Sequence, residues 1–92
     1  MKIVWTRTAR ADLHEIFDYI LQENPRAAID VLDRIEHSAR HLLDHPGMGR
    51  PGRVESTREL IIPGLPYILP YLTSPNVITI VRVIHSSMKW PL

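Results

Sequence analysis

The sequence predicts an α+β fold with the element order β-α-α-β-β-β. Two consecutive segments place their apolar residues on one helical face, and three later segments are rich in β-branched and aromatic residues. Short stretches containing Pro, Gly or Ser separate these later segments. We therefore expect an N-terminal strand and a helical hairpin packed on a mostly antiparallel sheet.

The N-terminal half predicts a short strand over residues 2–6 and two helices, over residues 8–23 and 25–44. Asn24 can cap the second helix and Pro25 suits its first position, so the two helices form a tight antiparallel hairpin. The apolar positions are Leu13, Ile16, Phe17, Ile20 and Leu21 in the first helix, and Ala28, Leu32, Ile35, Ala39 and Leu42 in the second. The residues expected mostly on the solvent face of the first helix are Arg10, Asp12, Glu15, Asp18 and Gln22.

The C-terminal half predicts three strands, over residues 57–62, 67–73 and 77–85. The last is almost continuously apolar, as expected for a strand that is central or covered on both faces. Pro70 conflicts with this arrangement, because proline has no N–H to donate to a neighbouring strand. We expect either a β-bulge at Pro70 or a pairing that ends near Leu69.

The size and composition indicate one globular domain, which we predict to span residues 1–92 with 45% hydrophobic residues. The chain contains no cysteine, which excludes disulfides and Cys-based zinc sites and fits a reducing compartment. No apolar run approaches the roughly 20 residues of a membrane span. We predict a soluble cytoplasmic protein that uses no cofactor and no metal, and we assign the regularly spaced His37, His41 and His45 to a solvated helix face.

Charge is unevenly distributed along the chain. Residues 1–46 carry six Lys or Arg against eight Asp or Glu, and residues 47–92 carry five against two. Three of the latter cations, Arg50, Arg53 and Arg58, lie on or beside a loop that leads into an apolar strand. Such a loop is suited to contact an acidic or phosphate-bearing partner.

The same arginine loop has a purely structural interpretation. Glu55 and Glu59 can pair locally with the arginines, which would leave a solvated loop without a partner. Pro51 stiffens the loop, and we expect Gly49 and Gly52 to loosen it. Spacing alone does not separate a binding loop from a structural one.

A second candidate region follows the last predicted strand. His85 ends that strand and precedes Ser86 and Ser87, with Lys89 and Trp90 further on. A histidine there can act as an acid or base, or it can serve as a capping or packing residue. Neither serine has an acidic residue near it in the tail, so the sequence gives little support for a nucleophile.

Four stretches together resemble the RelE/ParE superfamily of toxins from bacterial toxin–antitoxin modules, over essentially all 92 residues. They are Gly49-Arg50-Pro51-Gly52-Arg53, Thr57-Arg58-Glu59-Leu60, Pro66-Tyr67-Ile68-Leu69-Pro70-Tyr71, and Arg82-Val83-Ile84-His85 with Trp90-Pro91. The resemblance implies the fold order given above. It also implies a small antitoxin that wraps the toxin and silences it.

The resemblance implies one of two targets. RelE-like members are ribosome-dependent mRNA endonucleases, whereas ParE-like members poison DNA gyrase. Nuclease relatives place an arginine just after the tyrosine of the third strand, where this chain has Ile68, and another after the fourth strand, where it has Met88 followed by Lys89. His85 is then the only titratable candidate near neutral pH, so these departures favour the ParE side.

We therefore predict a ParE-like toxin that inhibits DNA gyrase and is neutralised by a ParD-like antitoxin with an acidic tail. The residues expected to contact the target or the antitoxin are Arg50, Arg53, Arg58, Arg82, His85, Lys89 and Trp90. The alternative is an mRNA endonuclease acting on the ribosome, with His85 as acid–base group and Arg58, Arg82 and Lys89 around the phosphate. A third possibility is a decayed toxin that only binds antitoxin.

Overall fold

The computed structural model describes residues 1–91, and within them it has two α-helices and six strands. The helices are α1 (Arg7–Leu21) and α2 (Pro25–Arg40), the latter followed by a short 3-10 helix (His41–Leu43). The strands are β1 (Lys2–Trp5), β2 (Arg50–Pro51), β3 (Arg58–Ile61), β4 (Tyr67–Thr73), β5 (Val77–Ile80) and β6 (Ile84–His85).

These strands form one sheet in the order β1-β5-β4-β3-β2, with β6 beside the first part of β4. Only the β1–β5 pair is parallel in the described chain; the others are antiparallel. The predicted α+β class and element order are confirmed. β2 was not predicted, because its two residues lie in a segment that reads as a loop.

Both helices begin at residues whose side chains cap them. The Thr6 hydroxyl accepts a hydrogen bond from the Ala9 N–H at 3.0 Å, and Asn24 Oδ1 accepts one from the Ala27 N–H at 3.1 Å. Pro25 occupies the first turn of α2, as predicted. The tight turn between the helices makes them pack as the expected hairpin.

The core lies between the helical hairpin and one face of the sheet. Alternate residues of the strands point to this face, because side chains alternate across a strand. Ala9, Ala28 and Ala39 are almost fully buried, and their small side chains let the helix backbones come close to their neighbours. The larger buried residues are Ile35, Leu42, Leu60, Ile62, Leu69, Tyr71, Ile78 and Ile80.

The conflict at Pro70 is resolved on the neighbouring strand. β4 runs through Pro70 without a break and pairs it with Glu59, so the expectation of a pairing that ends near Leu69 was wrong. The partner strand is interrupted instead. Tyr71 pairs with Ile80 and Ile68 pairs with Ile84, so residues 81–83 lie opposite only residues 69 and 70. Residues 81–83 thus form a bulge opposite Pro70 and not at Pro70 as predicted, and the continuous strand predicted over 77–85 was wrong.

The physical reason is the missing proline N–H. Pro70 still accepts a hydrogen bond from the Val81 N–H at 2.8 Å, but it has no donor to return. The facing segment is therefore free to leave the regular ladder and to take an additional residue. As for membrane insertion, no helix within residues 1–91 has both the length and the apolar character needed to cross a bilayer.

Candidate functional site

Two of the loop arginines, Arg50 and Arg53, contact Glu59, whose side chain is only 1% exposed. Arg50 donates to Glu59 Oε1 from Nη2 at 3.0 Å and from Nε at 3.2 Å. The backbone N–H of Arg53 donates to Oε2 at 2.9 Å, and the Arg53 guanidinium lies 3.7 Å from Oε1. The local pairing that the sequence left open therefore exists, and it uses Glu59.

Pairing with Glu59 does not neutralise the loop. Arg50 and Arg53 share one buried carboxylate, and their side chains remain 46% and 41% exposed, while Arg58 donates to the Gly49 carbonyl instead. A carboxylate buried beneath several donors fixes their positions while their outer N–H groups still face solvent. The arginine loop (residues 49–58) is thus an ordered cationic surface.

The expectation that Gly49 loosens this loop was wrong. Gly49 is buried, its N–H donates to the Tyr71 hydroxyl at 2.9 Å, and its carbonyl accepts from Arg58 Nη1 at 2.7 Å. A Cβ at Gly49 would lie 2.6 Å from Tyr71 Cε1 and 2.9 Å from the Glu59 carbonyl oxygen. The position requires glycine because the backbone passes against a tyrosine ring, which fixes the loop.

Tyr71 anchors the loop from below. Its hydroxyl donates to the Pro46 carbonyl at 2.8 Å and accepts from Gly49, and its side chain is fully buried. Burial raises the pKa of Tyr71, against the opposing effects of the Gly49 hydrogen bond and of Arg58. The phenol therefore stays protonated and acts as a structural donor.

Arg82 is held by Asp12, a residue of α1 that was expected on the solvent face. Arg82 donates to Asp12 Oδ2 from Nε at 2.7 Å and to Oδ1 from Nη2 at 3.1 Å. Asp12 Oδ2 also accepts the Val83 N–H at 2.9 Å, so the carboxylate caps the bulge. The solvent-face assignment of Asp12 was wrong, because the bulge brings donors from 70 and 71 residues away to this helix.

The environment of Arg82 is closed on two sides. The hydrogen bonds to Asp12 raise the pKa of Arg82, against the effect of burial, and the side chains of Arg82 and Asp12 are 18% and 13% exposed. The guanidinium carbon lies 5.7 Å from the centre of the half-buried Trp90 ring. Arg82 is therefore a structural cation, and Trp90 packs against it.

His85 borders a groove of about 430 Å³ between α1 and the end of the sheet. The groove is lined by Asp12, Glu15, Ile16, Tyr19, Tyr67, Val83, His85 and Met88. The Tyr67 and His85 rings meet edge to face with centroids 5.8 Å apart. Burial, followed by the proximity of Tyr19, raises the pKa of Tyr67.

The hydrogen bonds of His85 define how its ring can act. Nδ1 accepts the Ser87 N–H at 3.1 Å and lies 2.7 Å from the Ser87 hydroxyl oxygen. In the neutral ring the proton is therefore on Nε2. The side chain is exposed to solvent.

The groove contains groups that transfer protons but no cation to hold an anion. Its described lining includes two carboxylates and neither Lys nor Arg. Met88 lies in the lining, Ile68 is buried within the sheet, and Lys89 is exposed outside the lining. The cations of the nuclease hypothesis thus do not meet at His85: Arg58 lies at the arginine loop, and Arg82 is bound to Asp12.

The sequence did not identify Glu15 and Tyr19 as groove residues, nor Asp12 as the partner of Arg82. These three residues follow one another at helical intervals of three and four, so they lie on one side of α1. That spacing was available in the sequence. What it could not show is which strand end faces them.

A comparison with protein families decides the family. The family model described as the ParE toxin of the type II toxin–antitoxin system parDE matches residues 3–90. The chain belongs to the ParE toxin family. It is therefore a toxin of the type II toxin–antitoxin class, as its resemblance to the RelE/ParE superfamily predicted.

Individual relatives agree with this assignment. The ParE-family chain is 43% identical to the protein Y4kP of Sinorhizobium fredii (strain NBRC 101917 / NGR234) over 90 residues, which cover 98% of this chain and 93% of that protein. It is 34% identical to toxin RelE2 of Caulobacter vibrioides (strain ATCC 19089 / CIP 103742 / CB 15), covering 94% and 96% of the two chains. Among solved structures, the chromosomal ParDE system from P. aeruginosa superimposes with a TM-score of 0.84 at 30% identity, covering 92% and 95%.

Proposed function

We propose that this ParE-family toxin acts in the cytoplasm by inhibiting DNA gyrase and that a cognate ParD-like antitoxin neutralises it. The observation that carries the proposal is that Asp12 holds Arg82 in a bidentate ion pair beside the His85 groove, whose described lining has carboxylates and neither Lys nor Arg. The family match and the ParDE structure support the antitoxin as a partner. The toxin is then an inhibitor that binds a macromolecule.

The chemistry of RNA cleavage explains why the groove favours inhibition. Cleavage needs a base, an acid and cations around the phosphate, and removing one such charge-stabilising group costs about 3 kcal/mol or more in the transition state. His85 and Tyr67 provide groups that carry protons. Glu15 adds negative charge where a nuclease needs positive charge, and Asp12 compensates Arg82, the cation beside the groove.

The arginine loop is the surface that suits a gyrase–DNA complex. Arg50 and Arg53 are ordered by Glu59, and their exposed N–H groups can donate to phosphates or carboxylates. The fixed loop backbone presents them without a large loss of conformational entropy on binding. We assign Arg50 and Arg53 to the target contact. Arg58 has a structural role, because it donates a hydrogen bond to the Gly49 carbonyl of the loop.

A supercoiling assay with purified gyrase tests the proposal. We expect the wild-type toxin to inhibit supercoiling, and we expect Arg53→Ala to need about five- to tenfold more protein. This variant keeps the backbone hydrogen bond from residue 53 to Glu59, so the loop remains folded. The matched control is Arg26→Ala, an exposed arginine at the start of α2. An absence of inhibition by wild type, at concentrations that arrest growth, refutes the proposal.

A second candidate is the ribosome-dependent mRNA endonuclease. It is favoured by the similarity to RelE2 and by the pairing of Tyr67 with His85 in one groove. Primer extension on translated messages after induction distinguishes the two functions, because codon-phased cuts that disappear in His85→Gln support the nuclease. Harmless overexpression without an antitoxin supports a decayed toxin instead.

A further inference from the structure

A second groove lies between α2 and the outer edge of β3, away from both the arginine loop and His85. We call it the β3-edge groove; its volume is about 240 Å³. The residues that matter here are Arg34, His37 and His41 of the α2 side and Met48, Leu60 and Ile61 of the sheet side. The function proposed above does not use this groove.

The edge of β3 is open along the groove. β2 covers only part of the strand, since it pairs with Arg58 and Glu59 and ends there. The Ile62 N–H donates to the Tyr67 carbonyl, so the backbone groups of Ile61, one residue earlier, point away from β4. Within the described chain, the N–H and C=O of Ile61 have no backbone partner.

The open edge is also apolar. Ile61 and Met48 are 51% and 50% exposed, although both are large apolar side chains. Folded proteins usually protect a free strand edge with charge, proline or a covering segment, because it can pair with another chain. An apolar free edge beside a groove is the geometry to which an extended peptide adds as a strand.

Arg34 gives the groove a positive charge, and its two histidines add hydrogen-bonding groups, so the groove suits an acidic partner. Its described lining includes Arg34, His37 and His41 and no Asp or Glu. Arg34 Nη2 donates to the Pro63 carbonyl at 2.6 Å, which holds the guanidinium at the groove, and the two histidine rings meet with centroids 4.8 Å apart. The His85 groove has the opposite character, since Asp12 and Glu15 line it.

We propose that an extended segment of the cognate antitoxin, with alternating apolar and acidic residues, adds a short strand at Ile61 and fills the β3-edge groove. This inference rests on the antitoxin partnership proposed above. The strand forms hydrogen bonds with the N–H and C=O of Ile61, one side chain packs beside Met48, and carboxylates face Arg34 and the histidines. It is one anchor within a larger interface, because the groove holds only a few side chains.

Calorimetry with the full-length toxin and the full-length antitoxin encoded beside it tests the surface. We expect Ile61→Glu to weaken binding about 10- to 100-fold, because it places a carboxylate against the acidic segment and removes the apolar contact. The control is Leu72→Glu, which changes an apolar residue of the same sheet that is 40% exposed and outside the groove. If Ile61→Glu does not fold, Met48→Glu tests the same contact from the loop side.

Hydrogen exchange separates strand addition from simple proximity. We expect the Ile61 amide to exchange at least about tenfold more slowly in the complex, since only a backbone hydrogen bond to the partner protects it. Unchanged exchange at Ile61, together with equal affinities of Ile61→Glu and wild type, overturns the surface while leaving antitoxin binding intact. A failure of wild type to bind the antitoxin instead refutes the proposed partnership. Protection of Ile61 in the isolated toxin that depends on concentration assigns the edge to a second copy and also overturns the proposal.

Discussion

Glu59 and Asp12 both bind arginines that the sequence suggested for function, and they leave different amounts of positive charge available. At Glu59, one carboxylate with 1% exposure lies beneath an arginine loop whose cations outnumber it. At Asp12, one carboxylate meets one arginine in a bidentate pair, and Trp90 packs against that arginine. The first arrangement leaves its cations ordered and partly exposed, whereas the second uses its cation within the fold.

This difference shows how to judge an arginine in a small toxin. A cation is available to a ligand when its local acids are fewer than its neighbours of like charge and part of its side chain remains exposed. Arg50 and Arg53 meet this condition, and Arg82 does not. In the described lining of the groove at His85, Asp12 is already paired with Arg82, and Glu15 remains with no cation.

Glu59→Ala is the strongest way to break the first arrangement. We expect about 3 kcal/mol of destabilisation, because the substitution removes a buried carboxylate that accepts three hydrogen bonds, two from the Arg50 side chain and one from the Arg53 N–H. Urea unfolding of this variant and of Glu55→Ala, which changes an exposed acid of the same loop, measures the effect. Equal stabilities would mean that Glu59 does not order the loop.

Asp12→Ala breaks the second arrangement, and we expect about 2 kcal/mol of destabilisation. The smaller value reflects the greater exposure of the carboxylate that is removed, 13% for Asp12 compared with 1% for Glu59. The control is Asp18→Ala on the same helix, whose contact with His14 is exposed and should contribute less than about 1 kcal/mol. If Asp12→Ala and Asp18→Ala unfold at the same urea concentration, the bulge does not depend on Asp12.

Tyr71→Phe sharpens the comparison between the Glu59 and Asp12 arrangements. Among the contacts described, the buried Tyr71 hydroxyl supports the arginine loop and has no counterpart at Asp12. We expect about 1–2 kcal/mol of destabilisation, since the Gly49 N–H and the Pro46 carbonyl both lose their partner. Thermal unfolding measures this loss. Wild-type stability in Tyr71→Phe would show that water satisfies both groups.

The pH dependence of stability independently tests the contribution of the Tyr71 hydroxyl. The folded pKa of Tyr71 is raised above its ordinary value of 10.0, so its contribution is fully present below pH 10 and is lost as the pH rises through the folded pKa. Burial raises the pKa of Tyr67 in the same direction. Above pH 10 we therefore expect wild type to lose stability, and Tyr71→Phe to lose less. Parallel curves would contradict the shift at Tyr71.

Much of the fold was readable from local patterns. β4 occupies the predicted residues 67–73, and α2 begins at Pro25 after the Asn24 cap, because turn and cap residues act within a few positions. Residues 81–83 were misread as strand, since nothing local to them marks a bulge. Its cause lies across the sheet at Pro70.

The site was harder to predict than the fold for the same reason. The sequence identified the arginines of the loop and the possibility that Glu59 pairs with them, because these residues lie within ten positions of one another. It placed Asp12 in solvent, since its partners Arg82 and Val83 are 70 and 71 residues away. The β3-edge groove depends on where β2 ends, which no short pattern encodes.

The parallel pairing of β1 with β5 has a consequence for the order of synthesis. The ribosome makes residues 2–5 before residues 77–80, which are their only sheet neighbour in the described chain. A nascent chain that lacks residues 77–80 therefore has an unpaired β1 and an incomplete core. A host that makes this protein thus obtains the closed sheet only after residue 80 has been added, and β1 stays unpaired until then.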